Sequence, residues 1–173
     1  STACSSGGRS SSRNPSARPS SSSRAPSGGV STSPSCVSSS ATVGLRADDN
    51  YLIINPFFHS FGYKAGWLAS IIRGARMLPV KSFDLDEVLE QIPRERISMI
   101  PGPPTIYQSL LAHPRRGDYN LSSLRLAVTG AAPVPVTLVE QMRDELGFEV
   151  VVTAYGLTES CGVVSICRAD DSP

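Results

Sequence analysis

From Asp48 onward, short apolar runs alternate with stretches of helical periodicity, the pattern of βαβ units and a largely parallel α/β sheet. Residues 51–55 read as a strand, 63–73 as a helix and 75–80 as the next strand. Asp84 can cap a helix with Glu87 at the third position, and Leu85, Val88, Leu89 and Ile92 recur at i, i+3, i+4 and i+7. That spacing predicts an amphipathic helix packed on a sheet. Residues 97–100 form another short strand, ended by Pro101-Gly102-Pro103-Pro104, where proline suits a turn and the first helical position. A helix over 105–112, a strand over 124–128, a helix over 134–146 stopped by Gly147, and a strand over 149–152 complete the series. The expected fold is four or five strands of an α/β sheet that continues outside this chain at both ends.

Composition divides the chain in two. All 15 acidic residues lie at or after Asp48, so the formal net charge of +1 hides a purely basic front segment. Residues 1–46 are mostly Ser, Arg, Pro, Gly and Ala, with few large apolar side chains to offset the entropy of ordering them. They read as a low-complexity, disordered segment. No apolar stretch follows the basic residues as in a secretory signal, and the Pro and Gly content argues against the amphipathic helix of a transit peptide. The most apolar window, 52–72, contains Asn55, Pro56, His59 and Lys64, and so reads as strand, loop and helix with no membrane span. Cys4, Cys36, Cys161 and Cys167 form no C-x-x-C pair, which argues against a zinc site or a disulfide framework and leaves a reducing cytoplasm as the expected location.

Candidate chemistry gathers in three loops at predicted strand ends, where open α/β sheets bind ligands. After Val150-Val151-Val152 comes Thr153-Ala154 and then Tyr155-Gly156-Leu157-Thr158-Glu159-Ser160. Tyr155 offers a flat ring for a base, Gly156 room for a sharp turn, Thr158 a hydroxyl for phosphate and Glu159 a hard oxygen for magnesium. Taken singly, each has a plain structural alternative: a core Tyr, a turn, a cap. Thr129-Gly130-Ala131-Ala132-Pro133 would let a flat ligand lie against backbone, or serve as an ordinary strand-to-helix turn. Pro56-Phe57-Phe58-His59-Ser60-Phe61-Gly62 could line an apolar pocket with His59 at its mouth. His113, after a helix, reads as an exposed terminus residue. No G-x-S-x-G elbow or H-E-x-x-H zinc motif is present, and the Ser/Arg-rich front lacks the interleaved aromatics of a nucleic-acid surface.

In this order the three loops resemble the core motifs of the adenylate-forming, AMP-binding superfamily, and within it the chain is most similar to acyl-CoA synthetases. Pro101-Gly102-Pro103-Pro104-Thr105-Ile106-Tyr107 also resembles the linker those enzymes carry before a pocket-lining helix. The resemblance implies a partial AMP-binding domain over 48–173, with ATP, Mg2+ and coenzyme A as cofactor and co-substrates and a small-molecule carboxylic acid as substrate. It implies that Gly130, Ala131, Ala132 and Pro133 bound the adenine and ribose pocket, that Tyr155 stacks on adenine, that Thr158 contacts phosphate and that Glu159 holds magnesium. His59, Phe61 and Gly62 would border the acyl pocket, with Ala154 near the carboxylate. The acid would attack the α-phosphate of ATP, pyrophosphate would leave, and the thiol of coenzyme A would then take the acyl group.

Two departures from that family shape the expectation. Its Gly/Ser/Thr-rich phosphate loop belongs where this chain has its low-complexity segment, and Ser5-Ser6-Gly7-Gly8-Arg9-Ser10 is a poor imitation of it. A shifted reading frame in residues 1–46 would account for the acid-free run. The chain also stops before the family's ribose-binding Asp, its hinge and the small C-terminal domain with its catalytic Lys. The expectation is a fragment of an acyl-CoA synthetase that is incompetent alone. An adenylation domain with another acceptor and a non-catalytic nucleotide-binding or interaction fragment stand as alternatives, and neither the acid nor the oligomeric state is legible.

Overall fold

The computed structural model describes residues 42–160, 162–168 and 171. Six strands form one sheet in the order β2-β1-β3-β4-β5-β6. They are β1 (Asn50–Ile53), β2 (Arg76–Pro79), β3 (Met99–Gly102), β4 (Leu126–Gly130), β5 (Val150–Leu157) and β6 (Gly162–Ile166). The first five run parallel, and β6 returns antiparallel to β5. The crossovers carry α1 (Ala69–Arg73), α2 (Leu85–Glu95), α3 (Pro104–Ala112) and α4 (Val136–Asp144). A π-helical segment, Phe61–Leu68, leads directly into α1. The architecture is the mostly parallel α/β sheet that the alternation of runs predicts.

Period-two alternation along the strands builds two cores. Leu52, Ile100, Ala127 and Val151 face one way and pack with Val88, Leu89 and Ile92 of α2, Leu110 of α3 and Leu138 and Met142 of α4. Tyr51, Ile53, Met99, Leu126, Val128 and Val152 face the other way, toward Ala69 of α1. Val43 and Leu45 are buried in this second core. The packed side chains therefore reach back at least to residue 43. Two large apolar side chains in an otherwise polar stretch suffice when a sheet face is open beside them. The rest of the low-complexity segment, residues 1–41, lies outside the described residues.

Local chemistry sets the element ends. The Asp84 carboxylate accepts the Glu87 N–H at 3.0 Å and starts α2, which ends at Arg96 with φ 52°. At the amino ends of the strands, Asp49 accepts from Ser98 Oγ at 2.7 Å, from the Arg46 N–H at 2.8 Å and from the Arg125 guanidinium. These residues stand just ahead of β1, β3 and β4, so one buried carboxylate ties three strand starts together. The carboxyl ends are thereby left free for a site.

Candidate active site

β4 and β5 run in register through Gly130 opposite Ala154, and there the backbones touch. A Cβ on Gly130 would lie 2.1 Å from the Ala154 carbonyl oxygen, and one on Gly156 would lie 2.0 Å from that of Gly162. Both positions exclude a side chain. Past Gly130 the chain turns through Ala131, held at φ 65°, a left-handed conformation that an L-residue adopts at a cost of roughly 1–2 kcal/mol. Strain of this kind collects where a loop must be aimed.

Two cavities meet at this point. The larger, about 700 Å³, is lined by Ala131, Ala132 and Pro133, by Ala154, Tyr155, Gly156 and Leu157, and by Ser165, Ile166 and Cys167 from β6 and beyond. Tyr155 is 58% exposed, so its ring is presented to solvent and is not core packing. The smaller, about 70 Å³, is lined by His59, Ser60, Phe61, Lys64 and Ala65, by Gly130 and Ala131, and by Ala154, Tyr155, Gly156, Gly162 and Val163. Ala131, Ala154, Tyr155 and Gly156 line both. Two ligands seated in them would meet across one stretch of backbone.

The three sequence loops thus converge, with adjustments. Gly130 closes β4, and Tyr155, Gly156 and Leu157 lie inside β5, where a loop past a strand ending at residue 152 was expected. The reason is β6: its Val163 and Val164 pair a returning strand against this segment, extending β5 by hydrogen bonding. That β-branched pair was the available signal for β6 and for the cavity wall formed by Ser165 and Ile166. Thr158 and Glu159 occupy the exposed turn between β5 and β6 and line neither cavity. Ser160 fixes that turn by donating to the Leu157 carbonyl at 2.9 Å and accepting from the Leu157 N–H at 3.3 Å. His59 stands exposed at the mouth of the small cavity, its Nδ1 accepting the Phe61 N–H at 3.1 Å. Gly62 lines neither cavity; it is buried against the Asn55 and Pro56 carbonyls.

His113 departs from expectation and lies outside the lining of both cavities. Its side chain is 11% exposed and its Nε2 is 3.3 Å from Asp86 Oδ1, so it joins the end of α3 to the start of α2. Near the site, Thr129 Oγ1 and Asn55 Nδ2 are buried without a hydrogen-bond partner among the described residues. Thr129 lies in β4 beside Gly130 and Asn55 lies two residues past β1, and neither lines either cavity. No group of three or more His, Cys, Asp or Glu residues that could hold a metal occurs among the described residues. Magnesium in a nucleotide site takes one or two carboxylates with the remainder from phosphate and water, a donor set that the exposed carboxylate of Glu159 fits, and the exposed Asp171 lines the larger cavity. No helix among the described residues is long and apolar enough to cross a membrane.

Comparison with known proteins gives a consistent result. The profile of the AMP-binding enzyme family matches residues 27–173. Over 129 residues the chain is 58% identical to a 3-[(3aS,4S,7aS)-7a-methyl-1,5-dioxo-octahydro-1H-inden-4-yl]propanoyl:CoA ligase of Rhodococcus jostii, covering 75% of this chain and 25% of that one. It is 59% identical over 127 residues to a ligase of the same name from Mycobacterium tuberculosis, covering 73% and 25%. The chain therefore spans about a quarter of the length of these curated relatives. Among solved structures it matches the N-terminal domain of FACL13 from Mycobacterium tuberculosis with TM-score 0.71 and 27% identity, over 80% of this chain and 34% of that one. It matches o-succinylbenzoate coenzyme A synthetase from Bacillus subtilis, in complex with ATP and magnesium ion, with TM-score 0.65 and 32% identity, over 78% and 27%. With the profile match extending over most of its length, the chain belongs to the AMP-binding enzyme family.

Proposed function

We propose that this chain is a segment of an ATP-dependent acyl-CoA ligase whose acid is compact, apolar and ring-bearing. The observation that carries the reading is the pair of cavities sharing Ala131, Ala154, Tyr155 and Gly156, because adenylation needs a nucleotide and an acid held at van der Waals distance. The larger cavity takes the nucleotide, with Tyr155 against the base and Ala131, Ala132 and Pro133 around the sugar. The smaller one takes the head of the acid, with His59 and Phe61 at its border. Supporting the choice of acid is the 58% identity to a ligase named for a bicyclic propanoyl group.

In the first step a carboxylate oxygen of the acid bonds to the α-phosphorus of ATP and the bond to pyrophosphate breaks. In the second, the thiol of coenzyme A loses its proton to solvent, its sulfur bonds to the acyl carbon, the carbon–oxygen bond to AMP breaks, and AMP leaves with the electron pair. Two anions must approach in the first step, and their repulsion is the barrier that the site must lower. Bound at Glu159, magnesium would supply Lewis-acid neutralisation of phosphate charge. Thr158 donates a hydrogen bond to a phosphate oxygen, and the Ser160-braced turn holds both side chains in place. The shared backbone at Ala154 sets the separation of the reactants, while the apolar wall around Phe61 excludes water from the mixed anhydride.

The test is product formation by a full-length version of the enzyme carrying this segment, incubated with ATP, magnesium, coenzyme A and a panel of acids. Mass spectrometry should find the acyl-CoA of a ring-bearing propionate formed faster than that of a straight-chain acid of equal carbon number. A preference for the straight chain would overturn the assignment of the acid, and absence of any acyl-CoA would overturn the ligase reading.

A further inference from the structure

The smaller cavity is lined by two bodies: the π-helical segment Phe61–Leu68, which contributes Phe61 and Ala65, and the strand ends at Gly130 and Ala154. π-Helical winding is rare and gathers at functional sites, and something must hold the carbonyls it takes out of α-helical register. Here the Ala69 N–H, which in an α-helix would go to the Ala65 carbonyl, goes to that of Gly66. The Ala65 carbonyl takes the Tyr51 hydroxyl at 2.6 Å, and the Gly66 carbonyl also takes Ser70 Oγ at 2.9 Å. Tyr51 stands in β1, between β2 and β3, and is fully buried, so its hydroxyl has a rigid base and no exposure to water. Ile53, on the same face of β1, is the backstop: a Cβ on Gly66 would lie 3.3 Å from Ile53 Cγ2. The segment is thus clamped to a central strand at Ala65 and Gly66, and the core that holds Tyr51 also packs against Phe61 and Ala154 from the cavity lining.

We propose that Tyr51 is a positioning residue for the acid: its buried hydroxyl holds the π-helical wall through the Ala65 carbonyl and so sets how much bulk the small cavity admits at the head of the acid. This rests on the acid-activating reading given above. The cavity volume of about 70 Å³ is close to two waters' share of liquid volume at ~30 Å³ each, so a single methyl group decides what fits. Loss of the hydroxyl leaves the Ala65 carbonyl without its donor, and the segment can recover one by rewinding toward an α-helix, in which the Ala69 N–H serves it. Rewinding moves Phe61 and Ala65 relative to the strand ends. The larger cavity is lined by no residue of the segment and keeps its shape.

The experiment measures acid-dependent exchange of pyrophosphate into ATP by the full-length enzyme, with 3-cyclohexylpropanoate and with 3-cyclohexyl-2-methylpropanoate, which carries one more methyl at its head. Wild type should prefer the unbranched acid by about tenfold, the scale of one methyl group in a tight pocket. Tyr51→Phe keeps the ring and removes only the hydroxyl. It should raise KM for the unbranched acid by about threefold or more, the scale of one hydrogen bond, and shrink the preference by a similar factor, while KM for ATP stays within about twofold. Asp84→Ala serves as the control for lost stability, because it uncaps α2, which lines neither cavity; it should lower the thermal midpoint and leave the preference unchanged. An unchanged preference in Tyr51→Phe, an equal rise in KM for acid and ATP, or an equal change of preference in Asp84→Ala would overturn the proposal while leaving the ligase reading intact. Wild type that exchanges with no acid, or with neither acid, would remove the acid-activating reading, and this inference with it.

Discussion

Tyr155 and Gly156 are adjacent on β5 but answer to different physics. The ring of Tyr155 is exposed, so replacing it costs the fold little and, on the proposed function, costs nucleotide binding much. Base–aromatic stacking is worth about 1–3 kcal/mol per base, so Tyr155→Ala in a full-length version should raise KM for ATP by roughly tenfold with little change in thermal midpoint. Gly156→Ala should lower the thermal midpoint first. Its Cβ would meet the Gly162 carbonyl oxygen at 2.0 Å, a backbone atom that cannot swing aside, and overpacking of this sort costs about 1–3 kcal/mol. A thermal melt that left Gly156→Ala unchanged would contradict the close approach. Glu159→Gln belongs with Tyr155: its side chain is exposed in a turn, so magnesium-dependent use of ATP should fall far more than stability, and equal loss of both would mark a structural role. These residues were legible because their types are rare in combination. Gly162, Ser165 and Lys64 were not, because a glycine, a serine and a lysine become informative only when pairing sets them beside a cavity.

At the scale of elements, stability and site occupy opposite ends of the sheet. Burial alone would raise the Asp49 carboxyl, but hydrogen bonds from Arg125, Ser98 and the Arg46 N–H outweigh it and hold the group below its ordinary value of 3.8. Because the folded value is the lower one, the stabilisation is present above the unfolded value and is lost as pH falls through the folded one. Stability measured by denaturant should therefore drop below about pH 4, and Asp49→Asn should flatten that part of the profile while leaving Arg125 buried without its anion. α2 gives a second check. Asp84→Ala removes the cap on the Glu87 N–H and should cost about 1 kcal/mol in a chemical melt. That cap and the apolar stripe of α2 were readable because both are set within a few residues in sequence. β6 was not, since its strand character comes from pairing with β5, and Val43 and Leu45 were not, since only an open sheet face gives two isolated apolar residues a core to enter.

For the molecule as a whole, the sheet brings three loops separated by long stretches of sequence to one edge, and the proposed activity belongs to that edge. β1 supplies the segment with His59 and Phe61, β4 supplies Gly130 to Pro133, and β5 supplies Ala154 to Leu157 and leads into the turn with Thr158 and Glu159. The order of the strands, with β3 between β1 and β4, follows from crossover connections and could not be derived from spacing alone. The central claim is that this edge activates a carboxylic acid as its adenylate. Acid-dependent exchange of labelled pyrophosphate into ATP tests it most directly, run on the isolated chain and on a full-length version with and without magnesium. The account predicts exchange in the full-length version that requires both acid and magnesium, and none in the isolated chain. A full-length version that exchanges with no acid, or an isolated chain that exchanges freely, would contradict it.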